Sequence, residues 1–222
     1  KNTRIHLLDS PGYADFVGEV IAPLRAADAA VLLIEAVHGI EDGTERVWQF
    51  LEERNLPRII FINKLDKENA SFENTLNSIR ERFGRQCAAL QYPAGEQASF
   101  KGVVNILSKD ESAKLPDEDK AKVEKLKEEL IDAVVETDDA LTEKYLEGKE
   151  LTAEEITKAL KSACASGKIV PVFCGSAAQN IGVTQLLDAI VDLLPSPADR
   201  PAAEGIHPKT KEPVKRNPVE TE

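Results

Sequence analysis

Three short stretches place chemically capable residues directly behind apolar runs. In "FINKLDKEN" an apolar run delivers Asn63, Lys64 and Asp66 to its C-terminal end. Open α/β sheets bind ligands at that edge. A carboxylate only accepts hydrogen bonds, so Asp66 suits a group presenting two adjacent N–H donors, as guanine does along its N1/N2 edge. Adenine offers a lone pair there, which a carboxylate repels. Sites built on such pairing reject the wrong partner by about 10⁴-fold or more. Lys64 would lay its stem along the base, and Asn63 would tie its loop to a neighbour. The same residue types also populate ordinary surface turns.

A second stretch, "VPVFCGSAAQNIGV", leads into Gly175, Ser176, Ala177 and Ala178. These small residues let backbone N–H groups approach a base carbonyl closely, although a plain strand-to-helix turn would use them too. The third, "IHLLDSPGYADF", ends an apolar run on Asp9, Ser10, Pro11 and Gly12. An aspartate there can hold Mg2+ through water, and the Gly12 N–H can meet a terminal phosphate. Three such loops in this order, each after an apolar run, reinforce one another.

These loops need a scaffold, and the hydrophobic pattern supplies one. Ile5–Leu8, Ala29–Ile34, Arg58–Ile62 and Ile169–Cys174 read as short strands buried on both faces, as in parallel sheets. Asp15–Ala27, Asp42–Arg54 and Gly182–Leu194 read as the intervening helices, which makes the chain α/β. From 70 to 167 the rhythm changes. A helix over Phe72–Phe83 precedes strand-like segments at Cys87–Tyr92 and Phe100–Ile106. A charged run follows in which Val123, Leu126, Leu130 and Val134 form one apolar stripe. Its charges read as a solvated helix face, with a partner-binding helix as the alternative. In "LTAEEI", Thr152 and Glu155 form a capping-box signature. The tail after Leu194 is rich in proline and charge and reads as a linker.

Composition excludes several classes. The 222 residues are 42% hydrophobic with a formal net charge of −11, which argues against broad electrostatic binding of nucleic acid. No run approaches the about 18 apolar residues of a membrane span, and nothing reads as a signal peptide. Cys87, Cys164 and Cys174 lack metal-ligand spacing and read as reduced thiols, which suits a cytoplasmic protein. His6, His38 and His207 show no catalytic pattern. The absence of methionine suggests a piece of a longer chain.

"DSPGYADF", "NKLD" and "GSA" together resemble switch II, the guanine-specificity motif and the last base-contacting loop of the translational GTPases. The resemblance is to elongation factor G and its close paralogues, and it extends over nearly the whole chain. "LEGKELTAEEITKAL" and "LLDAIVDLLPSP" resemble the end of that family's inserted subdomain and its final helix. The resemblance implies a P-loop GTPase-like (Ras-like), mostly parallel sheet lacking its N-terminal strands, with an inserted α+β subdomain. The core would comprise 1–69 and 168–196, the insertion 70–167, and the linker 197–222.

It further implies GTP/GDP and Mg2+ as ligands, with Asp9, Gly12, Asn63, Lys64, Asp66, Ser176, Ala177 and Ala178 around the nucleotide and Asp9 toward the metal. The implied partner is the ribosome, at its factor-binding centre and stalk protein, with ribosomal RNA met mainly through further domains and the protein acting as a monomer. Ribosomal-protection and release-factor GTPases carry similar domains.

Two departures from the family stand out. No G-x-x-x-x-G-K-[ST] loop and no switch I segment occur among the 222 residues. In the family those lie upstream and bind the phosphates, and the strand before the loop sits centrally, between Ile5–Leu8 and either Arg58–Ile62 or Ala29–Ile34. The residues are therefore expected to bind guanine weakly and not to hydrolyse GTP unaided. In addition, Tyr13 stands where the family usually carries the histidine that positions the attacking water. A phenol can orient a water but stays neutral near pH 7. Tyr13 is the candidate catalytic residue, and packing against the loop is its alternative role.

Overall fold

In the computed structural model, residues 2–12, 17–200 and 202–216 are described. The chain forms α1 (Val17–Ala26), β1 (Ala30–Glu35), α2 (Asp42–Glu53), β2 (Arg58–Asn63), α3 (Phe72–Phe83) and β3 (Cys87–Ala89). It continues through β4 (Gln91–Ala94), β5 (Gly102–Asn105), α4 (Lys109–Ser112), α5 (Asp117–Val135), α6 (Asp139–Leu146) and α7 (Ala153–Ala165). β6 (Val170–Cys174), α8 (Val183–Leu193), β7 (Ala203–Ile206) and β8 (Pro213–Arg216) complete it.

The central sheet runs β1-β2-β6-β3 and all its pairings are parallel. β2 is flanked on both edges and covered on both faces, so Ile59, Ile60, Phe61 and Ile62 are almost fully buried. Burial on both faces explains why β2 and β6 read as continuous apolar runs rather than alternating ones. β3 comes from the 70–167 stretch, so the central sheet draws its edge strand from there. β4 and β5 pair antiparallel as a separate two-stranded sheet. The Cys87–Tyr92 segment, expected as one strand, is two: Leu90 leaves the main sheet and Gln91 begins the other.

The helices start where local chemistry dictates. The Ser71 hydroxyl accepts from the Asn74 N–H to cap α3, and Thr152 and Glu155 form the capping box of α7 at 3.2 and 2.9 Å. The stripe expected along α5 buries Val123, Leu130 and Val134. Between α2 and α3, Trp48 stacks on Phe83 at 4.1 Å. The buried Arg58 guanidinium lies 4.3 Å from the Trp48 ring, a cation–π contact that offsets part of its desolvation.

One further expectation is corrected. Ile5–Leu8 is not a strand: no described strand pairs with it, and Leu7 and Leu8 are 77% and 57% exposed. β1 hydrogen-bonds only β2 among the described residues. Its other edge faces a cavity of about 390 Å³ lined by Ile5, Leu7, Val20, Val31, Leu51 and Ile190, among others. The apolar run and β1 line this cavity together without sharing a hydrogen-bond ladder. Within the tail, β7 and β8 form a hairpin. The His207 Nδ1 atom accepts from the Lys209 and Thr210 N–H groups and shapes its turn.

Candidate nucleotide site

Asn63 closes β2, and its side chain reaches across to the loop after β6. Asn63 Oδ1 accepts from the Ala177 N–H at 2.9 Å. The Leu65 N–H donates to the Gly175 carbonyl at 3.2 Å, so the "NKLD" and "GSA" loops are joined by two hydrogen bonds. The sequence separates them by 114 positions; the adjacency of β2 and β6 brings them together. Leu65, fully buried, anchors the first loop from below.

The second loop is equally constrained. Ser176 and Ile181 exchange backbone hydrogen bonds at 3.0 Å, and the buried Ser176 hydroxyl accepts from the Gln179 N–H. Gly175 is required by proximity: a Cβ there would lie 2.3 Å from the Ile181 carbonyl oxygen and 2.8 Å from the Phe61 ring. Ala177 and Ala178 are exposed at the loop's tip. The Ala177 N–H is engaged by Asn63.

Asp66 carries an unsatisfied acceptor. Its side chain is only 8% exposed, yet Oδ1 has no hydrogen-bond partner, and its nearest cation, Lys67 Nζ, stands 3.9 Å from Oδ2. A buried carboxylate oxygen without a donor is costly unless a ligand completes it. Guanine's N1–H and N2–H would supply those donors, so the donor set fits the base. Lys64 adopts the left-handed backbone region at φ 66°. Its ammonium bonds Glu35 Oε2 at 2.7 Å.

Sequence reasoning did not find Glu35, Glu96 or Gln97. Gln97, at φ 54°, donates its backbone N–H to the Leu65 carbonyl at 2.7 Å and its side-chain amide to the Ala70 carbonyl. Glu96 Oε1 accepts from the Phe72 N–H at 2.6 Å, and burial pushes its carboxyl upward in pKa against that bond. Residues beyond β4 thus brace the "NKLD" loop and the start of α3. The signal available in the sequence was Gly95, at φ 83°, which marks a tight turn.

Asp9 and Gly12 sit in the irregular segment, both exposed. Gly12 lies against the first turn of α2, its carbonyl oxygen 3.2 Å from where a Cβ on Gly43 would stand. Asp9 contributes a single carboxylate. No group of three or more His, Cys, Asp or Glu among the described residues could hold a metal alone. Mg2+ is commonly held by one or two carboxylates, waters and substrate phosphates, so Asp9 fits only as one ligand of a site that a nucleotide completes. Tyr13 lies outside the described residues.

A parallel α/β sheet with two loops tied at its C-terminal edge defines the class: an α/β domain of the P-loop GTPase type. Residues 1–196 match the family described as Elongation factor Tu GTP binding domain, and the chain belongs to that family of translational-type GTP-binding domains. A crystal structure of a protein from Thermus thermophilus is similar over 93% of this chain, at 34% sequence identity and a TM-score of 0.78. The chain spans about a third (34%) of that protein's length. No helix among the described residues is long and apolar enough to cross a membrane.

Proposed function

We propose that these residues are the guanine-nucleotide-binding part of a ribosome-dependent translation factor of the elongation factor G type, one that couples GTP hydrolysis to translocation in the cytoplasm. The observation that carries this reading is the buried, donor-less Asp66 carboxylate beside the Asn63–Ala177 tie. Asp66 reads the N1/N2 edge, Lys64 lies along the base, and Asn63 holds the two loops in register. Ser176 shapes the second loop, leaving Ala178 and its backbone to approach the base.

Mg2+, bound with the phosphates, would neutralise developing charge, with Asp9 contributing to its hydration shell and Gly12 to the terminal phosphate. The core spans 1–69 and 168–196. The 70–167 stretch is inserted, with α3 and β3 built onto the core sheet, and 197–222 leads onward. The cavity beside β1 fits the place where the family sets the strand that precedes its phosphate loop. The factor-binding centre and stalk protein of the ribosome are the proposed partners, met by a monomer. Without a G-x-x-x-x-G-K-[ST] loop, the 222 residues alone should bind guanine nucleotide weakly and turn over none.

Tyr13 in place of the family's histidine favours a second reading, a nucleotide-gated ribosome-binding module with slow hydrolysis. Ribosome-stimulated GTP turnover by the full-length protein separates the two. Strong stimulation supports the elongation factor; turnover at background despite ribosome binding supports the module. Failure to bind ribosomes in either nucleotide state removes both.

A further inference from the structure

We infer that Glu35 is a positioning residue for base binding, acting through Lys64; this rests on the guanine-site reading above. Glu35 ends β1 and lies in register opposite Asn63, one strand away. That register brings its carboxylate to the residue after Asn63. Lys64 leaves β2 in the left-handed region, sparsely populated by residues other than glycine. Its ammonium is then held by Glu35 Oε2 at 2.7 Å. The other oxygen, Oε1, lies 3.5 Å from His38 Nδ1, so the carboxylate is contacted from both sides. The Lys64 hydrogen bond holds the Glu35 carboxyl below its ordinary pKa, so it remains ionised and able to grip at neutral pH.

The consequence is preorganisation. A lysine stem carries large rotamer entropy, which is lost when the side chain is held in one place. With the Cα fixed by the backbone and the ammonium fixed by Glu35, the four-carbon stem spans from the β2 end toward the β1 end before any base arrives. Ordering that is complete in the free protein does not oppose binding. Asp66 chooses the base by its hydrogen-bonding edge; Glu35 would set how firmly Lys64 covers its face, whichever purine is bound. Glu35 therefore contributes to affinity without contributing to guanine preference.

The test uses the full-length protein, fluorescent GDP and ADP, and stopped-flow release, with the variants E35A, E35Q, K64A, D66N and the double variant E35A/K64A. E35A should speed GDP release about fivefold, the scale of a partly exposed ion pair, while leaving the GDP-to-ADP preference and melting temperature unchanged. E35Q, which keeps an acceptor, should restore part of the loss. In the K64A background E35A should add less than about twofold, as expected when one residue acts only through another. Unchanged release in E35A, or full additivity with K64A, overturns the inference. If D66N leaves base preference untouched, the guanine-site reading fails and this inference falls with it. A D66N effect without an E35A effect refutes Glu35 alone.

Discussion

Replacing Gly175 with alanine tests whether the loop after β6 is as tightly determined as its contacts indicate. An added Cβ would stand 2.3 Å from the Ile181 carbonyl oxygen and 2.8 Å from the Phe61 ring. Neither neighbour can give way cheaply. The Ile181 carbonyl is held by the Ser176 N–H at 3.0 Å, and Phe61 is 2% exposed in the centre of the sheet. Forcing apart such a packed contact costs about 1–3 kcal/mol or more. For a domain of this size that corresponds to about 2–4 °C in melting temperature per kcal/mol.

Gly102→Ala is the matched control, because a Cβ there meets nothing within 4 Å. The same methyl group should be neutral at Gly102, or stabilising by about 0.4–1 kcal/mol through the unfolded chain. Thermal and urea denaturation of both variants would read the difference. Since the loop also carries the Asn63–Ala177 hydrogen bond, G175A should weaken guanine nucleotide binding while G102A leaves it intact. Equal melting temperatures for the two variants would refute the packing argument.

Further outcomes follow from other parts of the molecule. Cys87 and Cys164 are buried and their thiols are pushed up to about 12, and burial drives Cys174 higher still. Iodoacetamide at pH 8 should therefore label none of the three in the native protein and all of them in urea, by mass spectrometry. The Glu155 carboxyl is lowered from 4.5 to about 2, chiefly by the Lys144 hydrogen bond and then by Thr152. Because the folded value is depressed, the stabilisation is present above the unfolded value near 4.5 and is lost as pH falls toward about 2. An NMR titration should show T152A raising the Glu155 midpoint, and denaturation should show it costing about 1 kcal/mol at neutral pH through loss of the cap. N63A should leave the fold intact but weaken guanine nucleotide binding by about tenfold in calorimetry, the scale of one lost hydrogen bond between the two loops.

The centre of the sheet was legible because β2 and β6 are buried on both faces, and such strands announce themselves as apolar runs rich in β-branched and aromatic residues; β1, expected to be alike, has Leu33 60% exposed. Arg58–Ile62 and Ile169–Cys174 are of that kind. Ile5–Leu8 carries the same local signal, yet pairing is a property of neighbours, and no described strand lies against it. Cys87–Tyr92 misled for a different reason: a change of sheet at Leu90 alters the partner without altering residue type. The tail's prolines concealed a hairpin whose turn depends on His207, a side-chain acceptor that propensity does not register.

Asn63, Lys64 and Asp66 stood out as candidates because their chemistry is local to one loop. Glu35 and Gln97 did not, since each meets a residue far from it in sequence. Glu35 reaches Lys64 only through strand register, and Gln97 meets Leu65 only through the path of the chain after β4.

Calorimetric titration of GDP and ADP into the full-length protein and its D66N variant bears most directly on whether Asp66 reads the base. Selective GDP binding that D66N abolishes, with preference moving toward xanthine nucleotides, is the predicted result, because an amide can donate where the carboxylate only accepted. Equal affinity for GDP and ADP, or a D66N variant that still prefers guanine, would contradict that assignment.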